Sequence, residues 1–258
     1  MTTATNACAC HGTLGIGPTA VSDLALETLK GISIPTISMV LRRLGYSGMF
    51  LSGLAPRTSL QNFAGRAFTG RTLPMRSDVA KVQAGGGSLH RQAFETIEAG
   101  DVLVIDARGE AGARVTGDIL ASRLKYRGAA ALVTDGAVGD LAALQTVGLP
   151  IYSRGLTPVT FGELHVMADL NVPVACAGVL IMPGDVLVGD PEGVIAIPQG
   201  VAAQVAEEGA ETERRDAFSR GKVEAGHPLG EAYPLSGTLR AEYEATRTRG
   251  GAAAAGCS

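Results

Sequence analysis

The apolar positions change period along the chain, and each change marks an element. Ser22–Lys30 and Pro35–Leu44 read as two short helices, with Pro35 suited to a first helical turn and Gly45 to the exit. Phe63–Leu73 (FAGRAFTGRTL) alternates and predicts a strand, and Gly85-Gly86-Gly87-Ser88 reads as a flexible loop before an expected helix over His90–Glu98. Two short apolar runs follow, Asp101–Asp106 (DVLVID) and Ala130–Asp135 (AALVTD), with helical stretches at Gly117–Tyr126 and Asp140–Leu144 and a third strand at Leu149–Ser153. Strand, helix, strand, helix, strand at this spacing implies parallel neighbours joined by right-handed crossovers.

The pattern then changes. Val172–Pro198 (VPVACAGVLIMPGDVLVGDPEGVIAIP) is a string of short strands punctuated by Pro183-Gly184-Asp185 and Asp190-Pro191-Glu192-Gly193, which predicts a meander. Gln199–Arg220 reads as a long charged helix and Ser236–Thr248 as a last one. The expected organisation is a loose tail over 1–20, one domain over 21–248 and a disordered small-residue tail over 249–258.

Composition narrows the class. Of 258 residues, 46% are hydrophobic and 18% charged, enough apolar material for one packed core. Aromatics are 4% and Trp is absent, so that core must be aliphatic. The net charge is -3 and no basic stripe stands out, which argues against a nucleic-acid partner. No apolar run is long enough for a membrane span, and the first residues do not read as a secretory signal. The four cysteines, Cys8, Cys10, Cys176 and Cys257, form no disulfide framework and fit a reducing, cytoplasmic location. No phosphate-binding glycine motif is present.

Ligands of open parallel units bind beyond the carboxyl ends of the strands. Two helix starts should meet there, one at Gly117-Asp118-Ile119-Leu120 and one at Gly139-Asp140. Their free N–H groups make an anion site. An acidic residue at such a start has two readings: a cap that offsets the helix dipole, or a ligand for a hard divalent cation such as Mg2+.

At this point the sequence resembles a known family. AGRAFTGRTL (64–73), AGDVLVIDARGE (99–110), TGDILASRLKYRGAAALVTDGAVGD (116–140), LPIYSRG (149–155) and the 172–198 meander are together similar to the RraA-like family. That family comprises class II pyruvate aldolases acting on 4-hydroxy-4-methyl-2-oxoglutarate-type substrates, and regulators of ribonuclease E activity. The resemblance implies a three-layer β/β/α sandwich of the swivelling-domain kind, a homotrimer or homohexamer, and Mg2+ (or Mn2+) held by Asp140. It further implies that the amides of Gly117, Asp118, Ile119 and Leu120 bind the acid group of a small 2-oxo acid, with Asp118 orienting water.

One element departs from the pattern. The aldolases carry an Asp, twenty intervening residues, then Arg-Asp, whereas here Asp118 is followed at that spacing by Gly139-Asp140. The missing Arg is the group that faces the keto oxygen as a C–C bond breaks. Arg123 is the first candidate to replace it, since it shares a helix face with Ile119 and Leu120. Arg114 lies nearer the expected crevice, and Arg71 and Arg76 are further off. His90 and His165 are candidate proton carriers or structural histidines, and Glu211, Glu213 and Asp216 are candidate water-positioning carboxylates or a solvated face.

The resulting expectation is a metal-dependent lyase releasing pyruvate or decarboxylating oxaloacetate. The alternatives are a different keto-acid reaction at the same metal site, such as dehydration or tautomerisation, and a non-catalytic ribonuclease-regulating protein.

Overall fold

The computed structural model describes residues 20–58, 61–78 and 88–255. Two helices, α1 (Asp23–Lys30) and α2 (Ile34–Arg43), open the chain, each entered from an extended serine. Ser22 caps α1 through its hydroxyl, whereas Ser33 at the start of α2 binds Glu213 instead. Among the described residues no single helix is long and apolar enough to cross a membrane. Helices α1 and α2 reach that length only together, across a 119° bend.

The strands form a nearly closed, eight-stranded mixed sheet. Seven strands follow in the order β1 (Ala55–Pro56), β5 (Ile151–Leu156), β4 (Ala131–Val138), β3 (Val102–Asp106), β2 (Phe63–Pro74), β9 (Val186–Asp190) and β10 (Gly193–Ile197), and the eighth, β6 (His165–Leu170), pairs with β2 off this path. The expected parallel unit of β3, β4 and β5 is present, and β2 extends it by running parallel to β3. Its crossovers carry α3 (Leu89–Thr96), α4 (Asp118–Arg127) and α5 (Leu141–Val147). The expected meander is present as the β7 (Val174–Cys176) and β8 (Val179–Ile181) hairpin followed by the β9–β10 pair.

Strand β2 joins the two regimes. Its first residues pair antiparallel with β9 and its last with β6 (His165–Leu170), while its middle pairs parallel with β3. Gly65 allows this: a Cβ there would lie 2.4 Å from the Gly100 carbonyl oxygen.

Alternation of side chains then builds the layers. Val102, Val104, Val133 and Tyr152 point to an inner cluster shared with Phe63, Leu187, Val194 and Ala196. Leu103, Ile105, Leu132 and Ile151 point the other way, onto α3, α4 and α5. This is the β/β/α stack. Val186, Val188, Ile195 and Ile197 carry a further layer made of α1, α2 and α7 (Ala202–Glu224). A four-residue helix α6 (Phe161–Leu164) precedes β6, and α8 (Leu229–Ala232) precedes α9 (Gly237–Ala255).

The segment holding His165 is strand β6. The last helix begins at Gly237 and runs to Ala255, past the expected end at Thr248. The expected N-terminal tail lies almost entirely outside the described residues.

Two buried carboxylates tie the loops to the parallel strands. Asp135, 3% exposed, accepts from Ala107 N at 2.7 Å, Gly109 N at 2.8 Å and Ala177 N at 3.2 Å. Asp106 accepts from Arg108 N at 2.8 Å and Ala175 N at 3.3 Å. Burial raises the Asp135 carboxyl above its ordinary value, and the amide bonds partly oppose this. Replacing Asp135 by Ala strands those amides, and each buried donor left unmade costs about 1–3 kcal/mol. Asp135→Ala should therefore lower the unfolding free energy by about 3 kcal/mol or more in urea titrations. A loss below about 0.5 kcal/mol, the range of ordinary surface substitutions, would show that these bonds do not hold the loops.

Candidate functional site

The residues between β3 and α4 do not wander. Arg108 and Gly109 turn with positive φ, 60° and 69°, and the chain then comes back alongside the end of β4. Val115 N donates to Ala137 O at 2.8 Å, Gly139 N donates to Thr116 O at 3.0 Å, and Arg114 N donates to Val159 O at 2.9 Å. Residues 114–116 thus form a short extended rail beside β4, and the rail delivers the chain to Gly117, where α4 begins.

Asp140 sits where β4 gives way to α5. Its backbone is left-handed, φ 56° and ψ 40°, a region that Asp tolerates better than most side chains. It occupies the cap position of α5 but makes no side-chain capping hydrogen bond. The capping reading of this carboxylate therefore does not apply. Its Oδ1 instead accepts from Arg114 Nη1 at 2.9 Å, and a Cβ at Gly117 would lie 2.3 Å from its Oδ2. Gly117 is what lets the carboxylate lie against the start of α4. The two helix starts expected to converge do so through this contact.

Gly139 is explained by the same side chain. A Cβ there would lie 2.4 Å from Arg114 Cδ, 2.8 Å from its Nη1 and 3.1 Å from Thr157 O. The space beside Gly139 is filled by the Arg114 guanidinium. Arg114 and Asp140 keep 28% and 38% of their side-chain surface, so the pair is accessible to a small molecule. A cavity of about 260 Å3 opens here, with Leu141, Leu156, Thr157 and Pro158 around Gly139 and Asp140.

Asp118 and Leu120 are half-buried in the first turn of α4, and Ile119 is 79% exposed. The helix is entered without a side-chain cap, so the amides of its first turn remain for an anion. Arg123 is not brought to Asp140. Its Nε donates to Glu95 on α3 at 2.9 Å and its guanidinium lies 5.2 Å from the Tyr126 ring. Sharing a face with Ile119 and Leu120 turned it along α4 towards α3, not towards the crevice.

Among the described residues no cluster of three or more His, Cys, Asp or Glu side chains forms a metal cage. Mg2+ takes one or two carboxylates and keeps several waters. An exposed, uncapped carboxylate with Oδ2 facing the α4 turn fits such an ion.

The other candidates resolve into structure. His90 Nε2 is 2.7 Å from Val115 O, and its ring stacks on Phe161 at 3.8 Å. His165 is fully buried, with Nδ1 3.3 Å from Arg108 Nη2. Cys176 is buried, and burial pushes its thiol pKa up. Arg71 pairs with Asp169 and Arg76 with Asp78. Glu213 accepts from Ser33 N at 3.1 Å and so holds the start of α2. Cys8, Cys10 and Cys257 lie outside the described residues.

Comparisons with known proteins give the family. A family model described as RraA-like, Aldolase/RraA, matches residues 21–196. The chain belongs to the RraA-like family. A protein of Halalkalibacterium halodurans, whose name of 4-hydroxy-4-methyl-2-oxoglutarate aldolase is provisional, is 42% identical over 101 residues, 39% of this chain and 48% of that protein. The chain therefore spans about half the length of that relative. A Thermus thermophilus protein with the same provisional name is 30% identical over 62% of this chain and 94% of its own length. Among solved structures, the RraAS2 protein of Streptomyces coelicolor, described as an unusual member of the RNase ES inhibitor RraA family, superposes with TM-score 0.72 and 30% identity. The match covers 79% of this chain and all of that one.

The RraA-like core carries its own pH limit. Burial pushes the His90 imidazole from 6.5 down to about 4, and burial with Arg108 lowers His165 as well. Both folded pKa values lie below the unfolded one, so no stability is lost above pH 6.5. As pH falls further, the unfolded chain takes up protons that the folded chain refuses. Stability should drop between pH 6.5 and about 4, by about 3 kcal/mol from His90 alone. Equilibrium unfolding at pH 7 and pH 4.5 measures it. If His90→Gln leaves the pH dependence unchanged, this residue does not set the limit.

Proposed function

We propose that this RraA-like protein is a divalent-metal-dependent lyase that acts on a small 2-oxo acid, cleaving an aldol to release pyruvate or decarboxylating an oxaloacetate-type substrate. The observation that carries this reading is the position of Arg114. Its guanidinium occupies the space beside Gly139 and donates to Asp140, so the cation that the aldolases place just before this aspartate reaches the site from the rail between β3 and α4.

Each residue then has a task. The first-turn amides of α4 hold the substrate carboxylate, as helix N-termini hold anions. Asp140 holds the metal through its carboxylate, and Asp118 orients water at the same turn. When bound, the metal supplies Lewis acidity that polarises the keto carbonyl. Arg114 donates to the keto oxygen where negative charge develops as the C–C bond opens. Such a donor stabilises the transition state more than the ground state. Its four-carbon reach across Gly139 does not require Arg123, which Glu95 already holds. Assembly into trimers or hexamers accords with the exposed Ile119 and Tyr126 on α4, 79% and 82% accessible.

A second reading rests on the Streptomyces coelicolor structure, which is that of an RNase ES inhibitor family member. A ribonuclease-binding role predicts that Asp140→Ala leaves binding to the ribonuclease intact, while the lyase reading predicts that it removes pyruvate release.

The arginine exchange gives the direct test of the lyase. Pyruvate release from 4-hydroxy-4-methyl-2-oxoglutarate and from oxaloacetate is measured with Mg2+ or Mn2+ against a metal-only control. Arg114→Ala should lower kcat by about 10²–10³-fold, the loss typical of one transition-state donor. Gly139→Arg alone should not raise activity, because the new side chain meets Arg114 and the Thr157 carbonyl. Combined with Arg114→Ala, it should recover activity above the Arg114→Ala level, a non-additive result expected of side chains that share one space. Turnover of the wild-type protein no faster than the metal-only control would reject the lyase reading.

A further inference from the structure

Beyond the matched residues 21–196, the chain adds α7, α8 and α9. A cavity of about 450 Å3 lies among them, larger than the one at Asp140 and within the range of small-molecule sites. Helix α7 contributes Glu211 and Arg215, α9 contributes Arg240, Glu244 and Arg247, and the turn between α8 and α9 contributes Tyr233, Pro234 and Leu235.

Charge and geometry select a ligand. Three arginines face two glutamates, an excess of one positive charge in a chain whose net charge is -3. The glutamates are already engaged. Glu211 accepts from Arg214 Nη2 at 2.9 Å and from Tyr243 OH at 3.0 Å, and it pairs with Arg247 Nε at 3.4 Å. Glu244 accepts from Arg240 Nε at 3.1 Å. Arg215 differs. Its recorded carboxylate neighbour is the adjacent Asp216, at 3.8 Å, an ion pair too long for a hydrogen bond. Its side chain keeps 43% of its surface. Its planar fork of donors matches one carboxylate group in bidentate fashion.

A bare anion would not fill the space, and Tyr233, Pro234 and Leu235 supply an aromatic and aliphatic surface beside the cations. We infer that the α7–α9 cavity binds a small organic monocarboxylate, with its acid group on Arg215 and its apolar body against Tyr233 and Leu235. The ligand carries the single negative charge that offsets the arginine excess. This site shares no lining residue with the cavity at Asp140 and does not rest on the lyase reading.

Phenylacetate is the probe, titrated calorimetrically into the full chain with EDTA present. It combines one carboxylate with a ring. 2-Phenylethanol removes the charge, and acetate removes the body. Phenylacetate should give a saturable heat with one site per chain, and both comparison compounds should bind at least tenfold more weakly. Arg215→Ala should weaken phenylacetate at least tenfold at an unchanged thermal midpoint, Arg215→Lys should weaken it less, and Asp140→Ala should have no effect. If Arg215→Ala shifts the thermal midpoint, Arg215→Gln, which keeps most of the side-chain length without the charge, supplies the same comparison. No saturable heat, equal binding of 2-phenylethanol, unchanged affinity in the arginine variants, or loss in Asp140→Ala would each overturn the assignment.

Discussion

Asp135 turns inward while β4 still continues to Val138, and its two oxygens accept from the amides of Ala107, Gly109 and Ala177. Those residues lie on two different connections, the return from β3 and the β7–β8 hairpin. One buried carboxylate therefore fixes the loop that leaves the parallel unit and the hairpin that begins the meander. The desolvation cost of the charge is offset only because its hydrogen bonds are made together. Asp106 repeats the arrangement one strand away, on Arg108 and Ala175. Without these pins the path from β3 to α4 has no reason to turn back at the left-handed Arg108 and Gly109.

That turn is what assembles the site. Once the chain returns along β4, Arg114 faces Gly139, and the rail ends at Gly117. Four positions then depend on one another. Asp140 adopts a left-handed backbone and leaves α5 uncapped, which aims its carboxylate across the gap. Gly117 lacks the Cβ that would block Oδ2, Gly139 lacks the Cβ that would block the guanidinium, and Asp140 and Arg114 take the spaces that the two glycines leave. A substitution at any one of the four is felt by the other three, as expected of side chains in direct contact.

Much of this fold could be read from the residues, and the reasons differ by element. The β3–α4–β4–α5–β5 unit is legible because its strands are apolar on both faces, with Leu103 and Ile105 alternating against Val102 and Val104. Strand β6 is not, because His165 and Asp169 interrupt its pattern and its partner is the distant end of β2. The carboxyl ends of the parallel strands predicted that two helix starts would meet, and Gly117 and Asp140 do. The spacing between Asp118 and Asp140 could not say which arginine would join them. A helical face is visible in sequence, so Arg123 stood out, but its position on α4 brings it to Glu95. The place of Arg114 depends on the Asp135 pins, contacts between residues far apart in the chain.

An arginine carried on a loop would ordinarily be a poor electrostatic catalyst, since a mobile cation must be ordered at the moment of reaction. Here the ordering is done in advance. Val115 is bonded to β4 through its N–H and to the buried His90 through its carbonyl, and Arg114 itself donates its N–H to Val159. His90 is in turn fixed by its stack on Phe161. The backbone on both sides of Arg114 is thus tied to β4, to α3 and to the segment after β5 before any substrate arrives. The side chain is in turn held at the crevice by Asp140. A donor held in this way meets developing charge with little reorganisation, which is the condition under which such groups contribute most. In the proposed lyase the cation can come from the rail or from the end of β4, provided that the side chain at the other position leaves the shared space free.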